Sequence, residues 1–299
     1  MKYYCYYPGC STEATATGLG ISIQAVAKPL GIELKELEGW TCCGSVHYGS
    51  LDRLEAIPVA AYNLALAEKT GLDLVTPCTG CFVTFTKAKL QLKENPKLMS
   101  QVNQALAVAN LEYKGNVRVR LLTEVLINDI TPEFIASKSR RGLNGLKVAP
   151  YYGCQLVRPN FGFDDPEAPQ KLDYLVNSLG AEAIPFPMKN HCCGSSLVIS
   201  EEGIALGLIY KLLKNALKGE AQCIVTPCPL CQINLDAYQG RVNNRFKSNF
   251  NLPVLFVTQL IGLALGIDAI SLGLNTNIVS PRLVLEHISR QKQEVQSGT

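Results

Sequence analysis

No stretch of this 299-residue chain stays apolar for the roughly 20 residues that a membrane-spanning helix requires. The longest candidate, Leu252 to Ile267, is broken by Pro253, Thr258, Gln259, Gly262 and Gly266 and ends at Asp268, so it reads as a buried strand followed by a buried helix. Met1-Lys2-Tyr3-Tyr4-Cys5 carries no apolar core of a secretion signal, which predicts a cytoplasmic protein, one compatible with peripheral membrane association. An excess of one charge is missing too. Lys and Arg number 28 against 25 Asp and Glu, and the basic residues are dispersed rather than interleaved with aromatics, so a nucleic-acid partner is not expected. Neither a glycine-rich phosphate loop nor a dinucleotide fingerprint is present, so no flavin or nicotinamide is expected on this chain. Histidine is scarce, at three residues: His47, His191 and His287.

Cysteine is what the chain has in quantity, and ten of its twelve cysteines form one pattern written twice. The first copy is Cys10, Cys42-Cys43-Gly44, Cys78 and Cys81; the second is Cys154, Cys192-Cys193-Gly194, Cys228 and Cys231. The last four cysteines of each copy repeat at a constant offset of 150, while the leading cysteine shifts by 144. Scattered cysteines would not do this, so each copy is read as one metal-binding unit, duplicated in tandem. A chain of this size needs no disulfide stapling, which leaves reduced thiolates bound to metal.

The flanking segments repeat as well. Lys2 to Cys10 and Lys147 to Cys154 both read as a short buried strand that ends at a cysteine. Helical stretches follow, Thr17 to Leu30 before Gly31 and Pro169 to Leu179 before Gly180. A short strand then leads to each Cys-Cys-Gly. Longer helical patterns (about Leu51 to Lys69 and Glu201 to Lys218) precede strands ending at Thr76-Pro77-Cys78 and Thr226-Pro227-Cys228. A last pair, Val117 to Glu124 and Leu252 to Gln259, closes each half, and Gln91 to Asn116 is an extra helical excursion of the first. The alternation predicts an α/β protein of two tandem pseudo-symmetric domains, residues 1–135 and 146–299, with mainly parallel sheets. Sites in such sheets gather beyond the carboxyl ends of strands, which is where the cysteines fall. Thr131 to Gly145, with Pro132, Ser137, Ser139 and the basic Lys138, Arg140 and Arg141, reads as a polar, flexible linker.

Five thiolates are one too many for a tetrahedral zinc. An iron–sulfur cluster is the natural alternative, and a fifth cysteine beyond the usual four points to an opened cluster or an exchangeable ligand. The glycine after each Cys-Cys pair allows close backbone approach or positive φ, and the proline before each C-x-x-C favours a rigid turn.

With Pro8-Gly9-Cys10, both Cys-Cys-Gly motifs, both Pro-Cys-x-x-Cys motifs and Thr258-Gln259-Leu260 in place, the chain resembles the B subunit of heterodisulfide reductase over nearly its whole length. The resemblance implies two noncubane [4Fe–4S] clusters, ligated by Cys10, Cys42, Cys43, Cys78 and Cys81 and by Cys154, Cys192, Cys193, Cys228 and Cys231. It implies reduction of a small disulfide, or the reverse thiol chemistry, with a ferredoxin-like iron–sulfur subunit and a flavoprotein subunit as partners. Iron–sulfur subunits of succinate, glycolate or lactate dehydrogenases belong to the same circle and supply the alternative function. The remaining residues receive separate readings. Cys5 and Cys223 sit in apolar strand contexts and are expected to pack as core. His191, which touches a Cys-Cys pair where the first half has Thr41, is the candidate proton donor to a departing thiolate. His47 is a weaker candidate of the same kind, and His287 is expected at the surface. Trp40 is expected to wall the first site, and Lys189 is a weak candidate for attracting an anionic substrate.

Overall fold

The computed structural model describes residues 1–45 and 53–297. Each half is built on a four-stranded sheet. Strands β1 (Lys2–Tyr6), β2 (Ile32–Glu36), β3 (Leu74–Thr76) and β4 (Val119–Leu121) lie in the order β2-β1-β3-β4. Strands β5 (Lys147–Pro150), β6 (Glu182–Ala183), β7 (Cys223–Thr226) and β8 (Val254–Phe256) repeat it as β6-β5-β7-β8. Every pairing is parallel. Strand burial explains why. β3 (Leu-Val-Thr), β7 (Cys-Ile-Val-Thr) and the edge strand β8 (Val-Leu-Phe) are buried at every position, the uninterrupted apolar and β-branched reading of strands covered on both faces.

The register defines equivalent positions in the halves. Cys5 pairs with Leu74 and Val75 with Arg120; Ala149 pairs with Ile224 and Val225 with Leu255. Tyr4, Asp73 and Arg120 therefore correspond to Val148, Cys223 and Leu255.

Helices cover the sheets where apolar periodicity predicts them. Thr17–Ala27 ends before Gly31 at φ 71°, and Lys171–Ser178 ends before Gly180 at φ 86°. Arg53–Glu68 and Glu202–Lys218 follow the two Cys-Cys-Gly segments. The extra excursion is the end of helix Thr79–Glu94 followed by Pro96–Ala107, whose start is capped by the Asn95 side chain accepting from the Leu98 amide at 3.0 Å. The closing strands are shorter than the sequence suggests. Helices begin at Leu122 and Val257, and Gln259 accepts the Phe256 amide at 2.9 Å to start the latter.

The linker departs from expectation. Pro132–Ser137 is helical, with Thr131 accepting the Phe134 amide at 3.3 Å. Beyond it the amides of Arg140 and Arg141 donate to the Ala264 carbonyl at 2.9 and 3.0 Å. Its polar composition is overridden by Ile135, Leu143 and Leu146, all fully buried in one core shared by both halves. Across that core helix Thr17–Ala27 packs on Val257–Ala264, and the Ser22 and Thr258 hydroxyls bond at 2.6 Å. Among the described residues no helix is long and apolar enough to cross a membrane.

Candidate metal centres

Three neighbouring strands of each half converge at their carboxyl ends. β1 delivers Cys10, β2 leads to Cys42-Cys43 and β3 to Cys78; β5 delivers Cys154, β6 leads to Cys192-Cys193 and β7 to Cys228. Segments more than 30 residues apart in sequence thus meet because their strands are adjacent in the sheet. Cys78 and Cys228 each stand as the N-cap of the next helix with the same backbone angles, φ −94° and ψ 122°. Cys81 and Cys231 lie in the first turns of those helices, close to amides with no partner inside the helix.

Within each set sulfurs touch, although Cys10 is exposed. Cys43 Sγ lies 3.2 Å from Cys81 Sγ, and Cys193 Sγ 3.6 Å from Cys231 Sγ. Crowding forces the thiols apart in acidity. In the first half the Cys42 thiol, and then that of Cys81, draws Cys43 down to about 4, while Cys42 and Cys81 are pushed up. In the second, bonds from Cys154 and then Cys193 draw Cys192 down to about 2, and Cys154, Cys193 and Cys231 rise. Cys228 falls to about 7, drawn first by the Cys231 thiol, against burial, with the Thr79 hydroxyl and amides of Leu230 and Cys231 assisting. Gly44 donates to Cys42 Sγ at 3.4 Å, Gly194 to Cys192 Sγ at 3.3 Å, and Ser195 to Cys193 Sγ at 3.4 Å.

Glycine serves the site twice per half. Gly44 and Gly194 adopt φ 82° and 94°, the left-handed region the loop requires. Gly9 and Gly153, also at positive φ, bring the backbone so near that an added Cβ would stand 3.3 Å from Cys81 Sγ and 3.0 Å from Cys231 Sγ.

Several positioning residues escape the sequence reading. Tyr7 and Tyr151 are fully buried and donate their hydroxyls to the carbonyls of Thr41 and His191 at 2.7 Å, fixing the residue before each Cys-Cys pair. The recurrent Tyr-x-Gly-Cys was the available signal. Asn63 accepts the Thr41 amide at 2.8 Å in the first half; Asn234 donates to the Ser195 carbonyl at 3.0 Å in the second. These asparagines come from non-equivalent helices, so no repeat announces them.

The remaining candidates resolve differently. Cys5 and Cys223 lie buried in β1 and β7, and burial pushes the Cys223 thiol up to about 12. Trp40 is half-buried, with its ring 5.3 Å edge-on from Tyr7 and its indole donating to Glu36 at 3.2 Å. Lys189 is engaged by Asp173 at 3.0 Å, and its carbonyl accepts from Tyr152 and Gly153, so it braces the loop of Cys154. His191 is exposed, and its side chain makes no hydrogen bond among the described residues. His287 is not simply at the surface: half-buried, it meets the Asn144 carbonyl at 2.8 Å, because the C-terminal helix packs onto the linker. His47 lies outside the described residues.

The two centres abut. A small cavity of about 40 Å³ beside the second is lined by Cys154, Cys192, Cys193, Cys228 and Cys231 and also by Thr79 of the first half. A Cβ on Gly80 would stand 3.4 Å from Gln155 Oε1. Among the described residues no group of three or more Cys, His, Asp or Glu is arranged to hold a single metal ion. Soft sulfurs gathered from loops and helix starts, with glycine-lined approaches and amides aimed at sulfur, instead suit an iron–sulfur group.

Comparison with known proteins agrees. The cysteine-rich domain family, CCG, matches residues 4–86 and again 148–236. The chain is 40% identical, over 93% of its length and 98% of the relative's, to the 8-methylmenaquinol:fumarate reductase membrane anchor subunit of Wolinella succinogenes. It is 32% identical to the B subunit of the ferredoxin/F420H2-dependent CoB-CoM heterodisulfide reductase of Methanosarcina acetivorans, over 93% of this chain and 94% of that one. It is 32% identical to a protein of Archaeoglobus profundus named as similar to the heterodisulfide reductase B subunit, over 90% and 92%. A solved structure of a hypothetical protein from Helicobacter pylori shares the fold at TM-score 0.78 and 19% identity, covering 93% of this chain and 52% of that one. The chain belongs to the cysteine-rich CCG domain family, in the tandem-domain branch that holds the heterodisulfide reductase B subunits.

Proposed function

We propose that this chain is the electron-transfer subunit of an oxidoreductase complex, with one four-iron cluster in each half, linking a quinol to a dicarboxylate-converting flavoprotein. The observation that supports it is the abutment of the two cysteine centres, with Thr79 and Gly80 of one lying against the cavity and Gln155 of the other. When bound, the clusters supply one-electron chemistry at soft thiolate ligands. The protein's own part is to hold the two ligand sets in fixed register. The shared core, the Ser22–Thr258 bond and the braced linker join the halves. Two features favour a quinol-linked complex. The relative at 40% identity is named as a subunit of a methylmenaquinol:fumarate reductase. The halves are also joined through a shared core, as a fixed two-centre electron path requires. Membrane contact on this reading is peripheral.

The test is the complex purified anaerobically with its neighbours. Quinol-dependent fumarate reduction should require both centres, so Cys43→Ser with Cys193→Ser should abolish it while dye-coupled activity of the flavoprotein persists. Quinol-linked turnover by the double variant would overturn the reading. Disulfide reduction is the second reading, favoured by the relatives named as heterodisulfide reductase B subunits at 31–32% identity. It needs a ferredoxin-like electron donor and gives His191 a role in proton delivery. His191→Asn should then keep its iron but slow viologen-coupled disulfide reduction by about 10²–10⁴-fold. An unchanged rate would leave His191 as a loop residue.

A further inference from the structure

The two centres are not equivalent, because one half reaches into the other's site. Thr79 sits between the first-half ligands Cys78 and Cys81, yet it lines the cavity of the second centre beside Cys228 and Cys231. It is 1% exposed, and among the described residues its hydroxyl has no hydrogen-bond partner. A buried hydroxyl without a partner is costly, and such groups in a native protein ask for an acceptor. The nearby acceptors are sulfurs of the second centre, Cys228 among them. The position equivalent to Thr79 in the second half is Pro229, which has neither a hydroxyl nor an amide hydrogen and so offers the first centre no matching donor from that position.

We propose that Thr79 is a cross-domain positioning residue whose hydroxyl donates to a sulfur of the second centre, making the second cluster the more easily reduced of the two. A hydrogen bond to cluster sulfur stabilises the more negative, reduced form, so it raises the reduction potential. Bonds of this kind to charged acceptors shift an equilibrium by about tenfold or more, and tenfold is about 59 mV for a one-electron couple. Electrons entering at the first centre would then settle on the second without any other difference in ligand set. The inference rests on both centres holding clusters, as proposed above.

The experiment is an EPR-monitored redox titration of the whole protein, anaerobically purified, preceded by iron and sulfide analysis. Cys228→Ser identifies which signal belongs to the second centre. Thr79→Val removes the hydroxyl at nearly constant volume and should make the second cluster about tenfold harder to reduce while leaving the first unmoved. Thr79→Ser should restore the wild-type value. Should Thr79→Val lose the second cluster, retention by Thr79→Ser and loss by Thr79→Ala would still assign the hydroxyl to that centre. Full iron with equal potentials in wild type, Val and Ser variants would overturn the inference alone. Absence of iron from the second centre of the wild type would instead overturn the cluster reading on which it stands.

Discussion

The halves share one topology and one cysteine pattern but solve the same packing problem in opposite ways behind their sheets. Arg120 on β4 is 4% exposed and gathers acidic partners: Glu124 by two hydrogen bonds, Asp129 by two at 2.7 Å, and Asp73 at 3.7 Å. Tyr4 on β1 also donates to Asp129 at 2.7 Å. The equivalent positions in the second half are Val148, Cys223 and Leu255, all fully buried with no charge among them. A buried ion network and an apolar cluster of similar place can both fold, since a complete set of partners offsets desolvation. Cys223 is thereby explained. It stands where the first half has Asp73, as a small hydrophobe in an apolar layer. Duplicated halves thus keep what the ligands require and diverge where only volume and polar satisfaction matter.

The largest test of that comparison is ligand removal. Cys43→Ser should leave the second cluster intact and Cys193→Ser the first, each lowering iron from about eight to about four atoms per chain. Iron analysis and EPR read this directly. Loss of both clusters from either variant would show that the halves do not ligate independently.

Next in size is Arg120→Leu, which writes the second half's residue into the first. It leaves Glu124 without its cation and Asp129 with only Lys2 at 3.9 Å, and should cost about 3–5 kcal/mol, read as a lower denaturant midpoint. Leu255→Arg should be at least as damaging, because no carboxylate waits there. The acid limb sharpens the point. The Arg120 guanidinium, and then the Tyr4 hydroxyl, hold Asp129 near 2, below the ordinary 3.8. A depressed carboxylate contributes stability above its unfolded pKa and loses it as pH falls from about 4 through about 2. Arg120→Leu should flatten that limb; an unchanged acid profile would deny the network its role.

Smaller effects belong to backbone approach. Gly153→Ala should be worse than Gly9→Ala, since its Cβ would stand 3.0 rather than 3.3 Å from a ligand sulfur. Both also hold alanine at positive φ, a strain of about 1–3 kcal/mol. Thermal midpoints with cluster content distinguish the two, and equal effects would show that both loops relax. Smallest are Tyr7→Phe and Tyr151→Phe. Each loses one bond to the loop before Cys-Cys, worth about 1 kcal/mol, without loss of iron.

The sequence by itself determined the duplication, the two five-cysteine sets, the parallel α/β class and the apolar fate of Cys5 and Cys223. Those properties live in spacing and in short apolar runs, which are local and survive without knowledge of neighbours. It misjudged Thr131 to Gly145, because polar composition outnumbered Ile135, Leu143 and Leu146, and three buried side chains count for more than a polar majority at the surface. Only the tertiary structure decided that Tyr7 and Tyr151 hold carbonyls, that non-equivalent asparagines brace equivalent loops, and that Lys189 serves Asp173. It alone decided, too, that Thr79 of one centre faces the other. Threonine between two cysteines gives no local sign of where its hydroxyl will point. That direction is set by how two sheets, 150 residues out of phase, are packed across a shared core.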